Sequence, residues 1–131
     1  MKHEQPAKEI SLVPLKKALS SVSEIVKETK TKIIRDASIQ RFEYTFELSW
    51  KILKRYLENH HNVIEPNIKN IFREAGKLGL IDSVEDWFEF LRCRNLTSHT
   101  YHEETAEEVY SIVVRFESAV SRLIQRLEKL L

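Results

Sequence analysis

Glycine, proline and cysteine are scarce in this chain, and their scarcity limits the folds that it can adopt. Two Gly and three Pro occur among 131 residues, which leaves few residues suited to the tight turns that join β-strands. Residues that favour helix, such as Glu, Lys, Leu and Arg, are abundant instead. The single cysteine, Cys93, excludes an intramolecular disulfide and is typical of a protein kept in a reducing compartment. The composition therefore predicts an all-α protein.

Two further features are missing, an excess of one charge and a long apolar run. The 21 Lys and Arg residues are balanced by 20 Asp and Glu residues, for a net charge of +1, so no broad basic surface favours indiscriminate nucleic-acid binding. No apolar run approaches the length that spans a bilayer, and the N-terminus lacks the apolar segment of a signal peptide. We therefore expect a cytoplasmic protein without membrane contact, in which any contact with RNA or a nucleotide is local.

The organisation of the chain is uniform, without repeats, low-complexity tracts or linker-like segments. Its length is that of one domain, and 42% of its residues are hydrophobic, enough to build one core. We expect a single helical domain over residues 1–131, with residues 1–10 as a loose N-terminal tail.

Apolar residues recur at intervals of three and four along five segments, which is the pattern of amphipathic helices. In the first segment Ser11 is a suitable N-cap and Pro14 fits the first turn. The second segment carries two apolar stripes, one made of Ile39, Phe42, Phe46, Ser49, Leu53 and Tyr56, the other of Tyr44, Leu48 and Ile52. A helix with two apolar faces must be covered on both, by another helix of the bundle or by a second copy of the protein.

Capping signals predict where the later helices begin and end. Pro66 suits the first turn of the third helix, and Gly79 supplies its left-handed stop. Asp82 and Thr105, each followed by a glutamate three residues later, predict the starts of the fourth and fifth helices. The fifth helix carries a packing seam made of Val109, Val113, Phe116, Val120, Leu123, Leu127 and Leu130.

The fourth helix leads into residues 94–101, where Arg94, His99 and Tyr101 are close in sequence. Histidine can accept or donate a proton near neutral pH, and a guanidinium offers a fork of donors to phosphate oxygens. In an unbroken helix His99 would point roughly 140° away from Arg94. The polar residues between them favour helix ends, so a turn near residues 98–104 would let the imidazole approach the arginine.

Each of these residues also has a purely structural interpretation. Arg94 could bind the carbonyl groups of the helix end, or it could pair with Glu89 or Glu103. His99 could be a hydrogen-bonded core residue, and Tyr101 could pack with its hydroxyl satisfied. Residue types and spacing alone leave these alternatives open.

The remaining histidines and the cysteine give no second site. His60 and His61 have no companions at metal-ligand spacing, and His102 beside two glutamates is a weak ligand set, so we predict no metal site. Cys93 lies in an apolar helical pattern and is predicted to be a packing residue.

The run Arg94-Asn95 followed by His99-Thr100-Tyr101 resembles the Arg-x4-to-6-His motif of the HEPN superfamily, in its extended form with Asn after the arginine and Tyr two places after the histidine. Residues 42–51, 72–81 and 94–106 are similar to segments of the nucleotidyltransferase substrate-binding protein family. The resemblance extends over roughly residues 12–128. It implies an antiparallel, up-and-down bundle of four to five helices that forms homodimers, with a minimal nucleotidyltransferase encoded beside it as partner.

The resemblance also implies a function. Related HEPN proteins are metal-independent endoribonuclease toxins, and in related pairs the nucleotidyltransferase neutralises them by adenylylating the motif tyrosine. Carried over to this chain, Arg94 and His99 would be the nuclease pair, Tyr101 the modified residue and Asn95 a residue that positions the backbone or the arginine. No cofactor is implied. A homodimer with its two motifs facing one cleft would supply one imidazole as base and another as acid.

Two other functions remain open. The chain could be a non-catalytic subunit that presents a nucleotide or another acceptor to the nucleotidyltransferase. It could also be a structural helical dimer in which the motif only packs. The sequence contains no nucleotide-binding loop and no acidic triad, so we do not expect it to be the transferase itself.

Overall fold

The computed structural model describes residues 10–131, and all regular structure in this range is helical. The helices are α1 (Val13–Ile25), α2 (Lys32–His61), α3 (Ile68–Lys77), α4 (Val84–Leu96), a 3-10 turn (Thr97–His99), α5 (Glu103–Ser111) and α6 (Val113–Leu130). The prediction of an all-α helical bundle is confirmed. Of the predicted loose tail, residues 1–9 lie outside the described range, while Ile10 packs against the core.

The longest helix, α2, lies at the centre of the bundle and contacts α1, α3, α4, α5 and α6. Its predicted first stripe is buried throughout, from Ile39 to Tyr56. Phe42 and Phe46 of this stripe pack against Phe116 of α6, and Phe46 also packs against Phe72 of α3 and Trp87 of α4. Burial of these large aromatic side chains joins four helices into one core.

The second stripe of α2 is only partly covered. Helix α1 packs beside it, and the Tyr44 hydroxyl shares a hydrogen bond with Ser21 of α1. Tyr44 nevertheless remains 40% exposed, and Leu48 lines a shallow groove with Pro14 and Ala18. Of the two covers that the sequence left open, a helix of the same bundle is observed for part of this face.

The predicted end of α3 is confirmed, and α2 ends in the same way. Gly79 adopts a left-handed conformation with φ 72° just after α3, as predicted. At the end of α2, Asn62 is also left-handed, with φ 53°, and stops the helix after His60 and His61. The third helix differs slightly, because Asn67 accepts the N–H of Asn70 as its cap and Pro66 therefore precedes the helix.

The predicted start of the fourth helix at Asp82 is wrong by one residue. Ser83 is the N-cap, and its hydroxyl oxygen accepts the backbone N–H of Asp86 at 3.1 Å. The carboxylate of Asp82 is instead bound by Arg122, at 2.8 Å, and by Arg126, both on α6. The tertiary ion pairs of Asp82 take the place of the local capping role.

The predicted fifth helix differs in two ways. It begins at Glu103, after the N-cap His102, and not at Thr105. It is also divided at Ile112, whose φ of −96° and ψ of −5° interrupt α5 and α6. The packing seam survives this break, since its members are buried except for Leu130 at the end. Within residues 10–131, no helix combines the length and apolarity needed to cross a membrane.

Candidate functional site

The motif segment leaves the α-helix after Leu96, and a break in this segment is what the sequence indicated. Helix α4 ends at Leu96 and continues as the 3-10 turn. The hydroxyl of Thr97 donates to the carbonyl of Arg94 at 2.7 Å, and that of Thr100 donates to the carbonyl of Thr97 at 3.2 Å. Threonine hydroxyls thus satisfy backbone carbonyls at the helix end, which is the local preference that favours a break here.

This turn brings His99 and Tyr101 together at the surface. The Nδ1 atom of His99 lies 3.4 Å from the hydroxyl oxygen of Tyr101, and the two rings meet nearly edge to face. Tyr101 is 74% exposed, with its ring against that of His102. The phenol and the imidazole are therefore accessible to a large ligand or to another protein, and neither is a core residue.

Two residues of α2 contact the guanidinium group of Arg94, one through its ring face and one through its carboxylate. Its guanidinium carbon lies 5.5 Å from the centre of the Phe46 ring, a cation–π arrangement. Its Nε atom lies 2.9 Å from Oε1 of Glu47. The other carboxylate oxygen of Glu47 accepts the indole N–H of Trp50 at 3.0 Å.

The ion pairs that the sequence suggested as alternatives for Arg94 are wrong. Glu89 binds Arg92 instead, with Nη2 to Oε1 at 2.6 Å. Glu103 binds Arg35 of α2, with Nη1 to Oε2 at 2.6 Å. The acidic partner of Arg94 is Glu47, a residue 47 positions earlier in the chain that sequence reasoning did not single out.

The structure therefore separates the four predicted site residues into three places. His99 contacts Tyr101, whereas the contacts of Arg94 are with α2. Asn95 points to another side of α4, where it lines a groove with Lys69, Phe88 and other residues of α3 and α4. Adjacent helical residues project about 100° apart, so Arg94 and Asn95 serve different surfaces.

A network of charges fixes the chain directly after the motif. Arg35 donates hydrogen bonds to Glu103 and Glu107 of α5 and is only 3% exposed. The hydrogen bond from Arg35 holds the pKa of Glu103 below its ordinary value. Lys30, together with Arg35, does the same for the pKa of Glu107. Glu103 and Glu107 of α5 are therefore paired with Arg35 of α2 and with Lys30, which precedes α2.

Sequence reasoning missed Glu47, Trp50 and Arg35. Glu47 and Trp50 lie within residues 42–51, one of the three segments that carried the family resemblance, and their spacing of three places them on one face of α2. That spacing could have indicated from the sequence that the two side chains interact. Nothing local marks Arg35 as an anchor of α5, because Glu103 and Glu107 lie about 70 residues away in the chain.

The structure also shows the environment of Cys93 and of the residues that could bind a metal ion. Burial raises the pKa of the Cys93 thiol to about 11, and the side chain is fully buried, so the prediction of a packing role is confirmed. Among residues 10–131, no group of three or more His, Cys, Asp or Glu side chains is arranged to hold a metal ion.

The fold is a helical bundle that exposes a His–Tyr pair just beyond the end of α4. Comparison with known protein families identifies the class of protein to which the chain belongs. The family model described as nucleotidyltransferase substrate binding protein like matches residues 11–129. The chain belongs to this family.

Relatives and solved structures fit the same assignment. The protein named probable ribonuclease HepT from Haemophilus influenzae is 38% identical over 96 residues, which cover 70% of this chain and 66% of the relative, slightly under two thirds of its length. A crystal structure of a protein from Thermus thermophilus has a TM-score of 0.81 and 32% identity, covering 86% of this chain and 98% of the other. The structure of HI0074 from Haemophilus influenzae, described as revealing the fold of a substrate binding domain of a nucleotidyltransferase, has a TM-score of 0.81 and 31% identity, covering 90% and 99%.

Proposed function

We propose that this protein is the HEPN partner of a minimal nucleotidyltransferase in a two-gene module of the toxin–antitoxin type, and that it cleaves RNA without a metal ion. Arg94 and His99 are the proposed catalytic residues. The observation that carries the proposal is the 3-10 turn after α4, which exposes His99 beside Tyr101 just beyond Arg94. The name of the Haemophilus influenzae relative, a probable ribonuclease, supports the same activity.

The proposed reaction is an internal transfer within RNA. One imidazole removes the proton of a ribose 2′-hydroxyl, the 2′-oxygen bonds to the adjacent phosphorus, and the bond from phosphorus to the 5′-oxygen breaks. A second imidazole gives its proton to the departing 5′-oxygen, which leaves a 2′,3′-cyclic phosphate and a 5′-hydroxyl. Arg94 stabilises the charge that develops on the phosphate oxygens.

This reaction favours a homodimer as the active unit. One His99 cannot be base and acid in the same step, whereas two copies of the segment facing one cleft supply both roles. The partly uncovered face of α2, with Tyr44 and Leu48, supports such an assembly, because apolar side chains beside a groove are typical of interaction surfaces.

Tyr101 is the proposed target of the nucleotidyltransferase. Its phenolic oxygen would bond to the α-phosphorus of ATP, pyrophosphate would leave, and the phenolic proton would be released. The exposure of Tyr101 makes the hydroxyl accessible to another enzyme. Because the hydroxyl lies 3.4 Å from His99 Nδ1, the added phosphate and adenosine would occupy the space in front of the imidazole and oppose RNA binding.

The test is cleavage of a panel of labelled RNAs by the purified protein in the presence of a chelator. We expect products with 2′,3′-cyclic phosphate ends, and we expect His99→Ala and Arg94→Ala to abolish them while keeping wild-type helicity and melting temperature. His61→Ala and Arg73→Ala, at exposed positions on α2 and α3, are the matched controls and should cleave as wild type does. Equal inertness of the wild type and all variants would contradict the proposed nuclease.

A second candidate is a non-catalytic subunit that presents a nucleotide or another acceptor to the nucleotidyltransferase. The observation that favours it is the groove beside α4, where the Phe88 ring lies with Lys69, Arg92 and Asn95, although Glu85 and Glu89 also line it. An aromatic face with polar donors is suited to a nucleotide. In that case Phe88→Ala and Asn95→Ala would weaken nucleotidyl transfer by the complex, and this subunit alone would cleave no RNA.

A further inference from the structure

Two adjacent residues of α2 contact the guanidinium group of Arg94. Phe46 lies under the guanidinium, and Glu47 lies beside its Nε atom. Glu47 is itself fixed, because its second carboxylate oxygen accepts the indole N–H of Trp50. A chain of contacts therefore runs from Trp50 through Glu47 to Arg94.

The contact between Glu47 and Arg94 is ionic. The Nε atom is buried, and within the described part of the chain it makes no hydrogen bond, although Oε1 of Glu47 lies only 2.9 Å away. The side chain of Arg94 as a whole is 26% exposed. Since Nε is buried, other atoms of the side chain face solvent and can bind a ligand while Glu47 acts from the inner side.

We propose that Glu47, anchored by Trp50, is the positioning residue of Arg94 and fixes the direction in which the guanidinium presents its outer N–H groups to a phosphate. This inference rests on the proposed function, since it takes an RNA phosphate as the ligand of Arg94. A carboxylate near a phosphate site repels the ligand. Glu47 therefore orients the Arg94 guanidinium but weakens the binding of the RNA phosphate. Correct orientation of a charged group contributes mainly to the chemical step.

A change in kcat without a matching rise in KM distinguishes a positioning role of Glu47 from a purely structural one. In Glu47→Gln, a neutral side chain of the same shape can still accept the indole N–H, but it no longer attracts Arg94. We expect kcat for RNA cleavage to fall at least tenfold, whereas KM for the RNA stays constant or decreases because a repelling charge is gone. Glu47→Asp, which keeps the charge on a shorter side chain, should recover part of the lost kcat.

Trp50→Phe tests the anchor. It removes the indole donor and keeps an aromatic ring, so kcat should fall in the same direction but less than in Glu47→Gln. In the double variant the effects should not add, because both substitutions act on the same contact chain. Glu43→Gln is the matched control. It removes the same charge from an exposed position one turn earlier on α2 and should leave kcat and KM within about twofold of wild type.

A second measurement does not depend on RNA cleavage. The ¹⁵N NMR signal of the Arg94 Nε–H group, assigned by its loss in Arg94→Lys, should be resolved from other arginines in the wild type and in Glu43→Gln. In Glu47→Gln it should move towards the averaged arginine position and exchange faster with water. Inorganic phosphate titrated into both proteins should shift the wild-type signal and produce a smaller limiting shift in Glu47→Gln.

The two measurements distinguish failure of this inference from failure of the proposed nuclease. An unchanged Arg94 signal in Glu47→Gln, or parallel losses of kcat and melting temperature with unchanged NMR, would overturn the positioning role and leave the nuclease standing. If the wild type cleaved no RNA but the Arg94 signal and its phosphate response changed as expected, the positioning role would hold and the proposed reaction would fail.

Discussion

Arg35 in the first turn of α2 donates hydrogen bonds of 2.6 and 3.3 Å to the two carboxylate oxygens of Glu103, the first residue of α5. It also donates to Glu107 one turn later, at 3.1 Å. The planar guanidinium suits this fork of acceptors. Because α5 starts two residues after Tyr101, Arg35 fixes the end of the motif segment relative to α2.

We predict that Arg35→Met loosens this segment selectively. Amide hydrogen exchange should accelerate most in residues 97–107, and the melting temperature should fall. Arg35→Lys should be intermediate, because one ammonium cannot reproduce the fork. Lys16→Met is the control, since it breaks the Lys16–Glu128 pair, whose side chains are both about half exposed, and such pairs contribute little. Uniform acceleration along the whole chain would contradict a local anchor.

The same network predicts a dependence of stability on pH. Hydrogen bonds lower the folded pKa of Glu103, through Arg35, and of Glu107, through Lys30 and then Arg35. The unfolded value is about 4.3. The stabilisation is therefore fully present above that value and is lost as the pH falls through the folded pKa values. Melting curves between pH 7 and pH 3 should show a nearly constant melting temperature down to about pH 5 and a decrease below it.

A double variant isolates these two carboxylates. With Glu103→Gln and Glu107→Gln the melting temperature should be lower at pH 7, and its further decrease in acid should be shallower. Some decrease will remain, because arginines also lower the pKa values of Asp82 and Glu89. If the melting temperature of the double variant fell in acid as steeply as that of the wild type, these two carboxylates would not contribute to the pH dependence of stability.

Much of the fold could be predicted from the sequence because apolar periodicity reflects burial directly. The stripe from Ile39 to Tyr56 and the seam from Val109 to Leu127 are buried as predicted. The helix starts at Asp82 and Thr105 were wrong because capping residues are judged from local sequence. Asp82 is engaged by α6, and the start of α5 is set by the ion pairs of Glu103 with α2.

For the candidate site, the sequence predicted the break after α4 and a turn near residues 98–104, but neither the exposure of that turn nor the partners of Arg94. The polar run between Arg94 and Tyr101 is a local signal, and the threonine hydroxyls act locally as it indicates. The contact between Arg94 and Glu47 joins two distant helices, and no spacing rule within α4 identifies it. The catalytic roles of Arg94 and His99, and the roles of Asn95 and Tyr101, stay predictions.

Truncation of Phe116 on α6 should strongly destabilise the core. The Phe116 side chain is fully buried and contacts the rings of Phe42, Phe46, Trp87 and Phe90. Phe116→Ala should lower the free energy of unfolding by about 3–5 kcal/mol, the usual cost of removing a buried phenyl ring. Urea unfolding measures this cost. Ile33→Ala, at a side chain that is 80% exposed, should change it by no more than about 0.5 kcal/mol.

The buried thiol of Cys93 should be inert in the folded protein. Burial raises its pKa to about 11, so at pH 8 almost none is thiolate, the reactive form. Ellman's reagent should titrate one thiol in denaturant and none within minutes under native conditions. Rapid native labelling with unchanged circular dichroism would show that α4 opens locally.

Helices α3 and α4 approach each other closely at Gly76, where a Cβ atom would lie 2.5 Å from Cγ2 of Val84. In a helix interior alanine is favoured over glycine by about 1 kcal/mol, but relieving this overlap requires side-chain and backbone shifts that typically cost about 1–3 kcal/mol. We expect Gly76→Ala to lower the free energy of unfolding measured in urea. Val84→Ala should rescue part of the loss in the double variant.

Gly79→Ala is the control, since no atom lies within 4 Å of its Cβ position. Its cost arises from φ 72°, so Val84→Ala should not rescue it, and equal rescue of both glycine variants would contradict a specific contact between Gly76 and Val84.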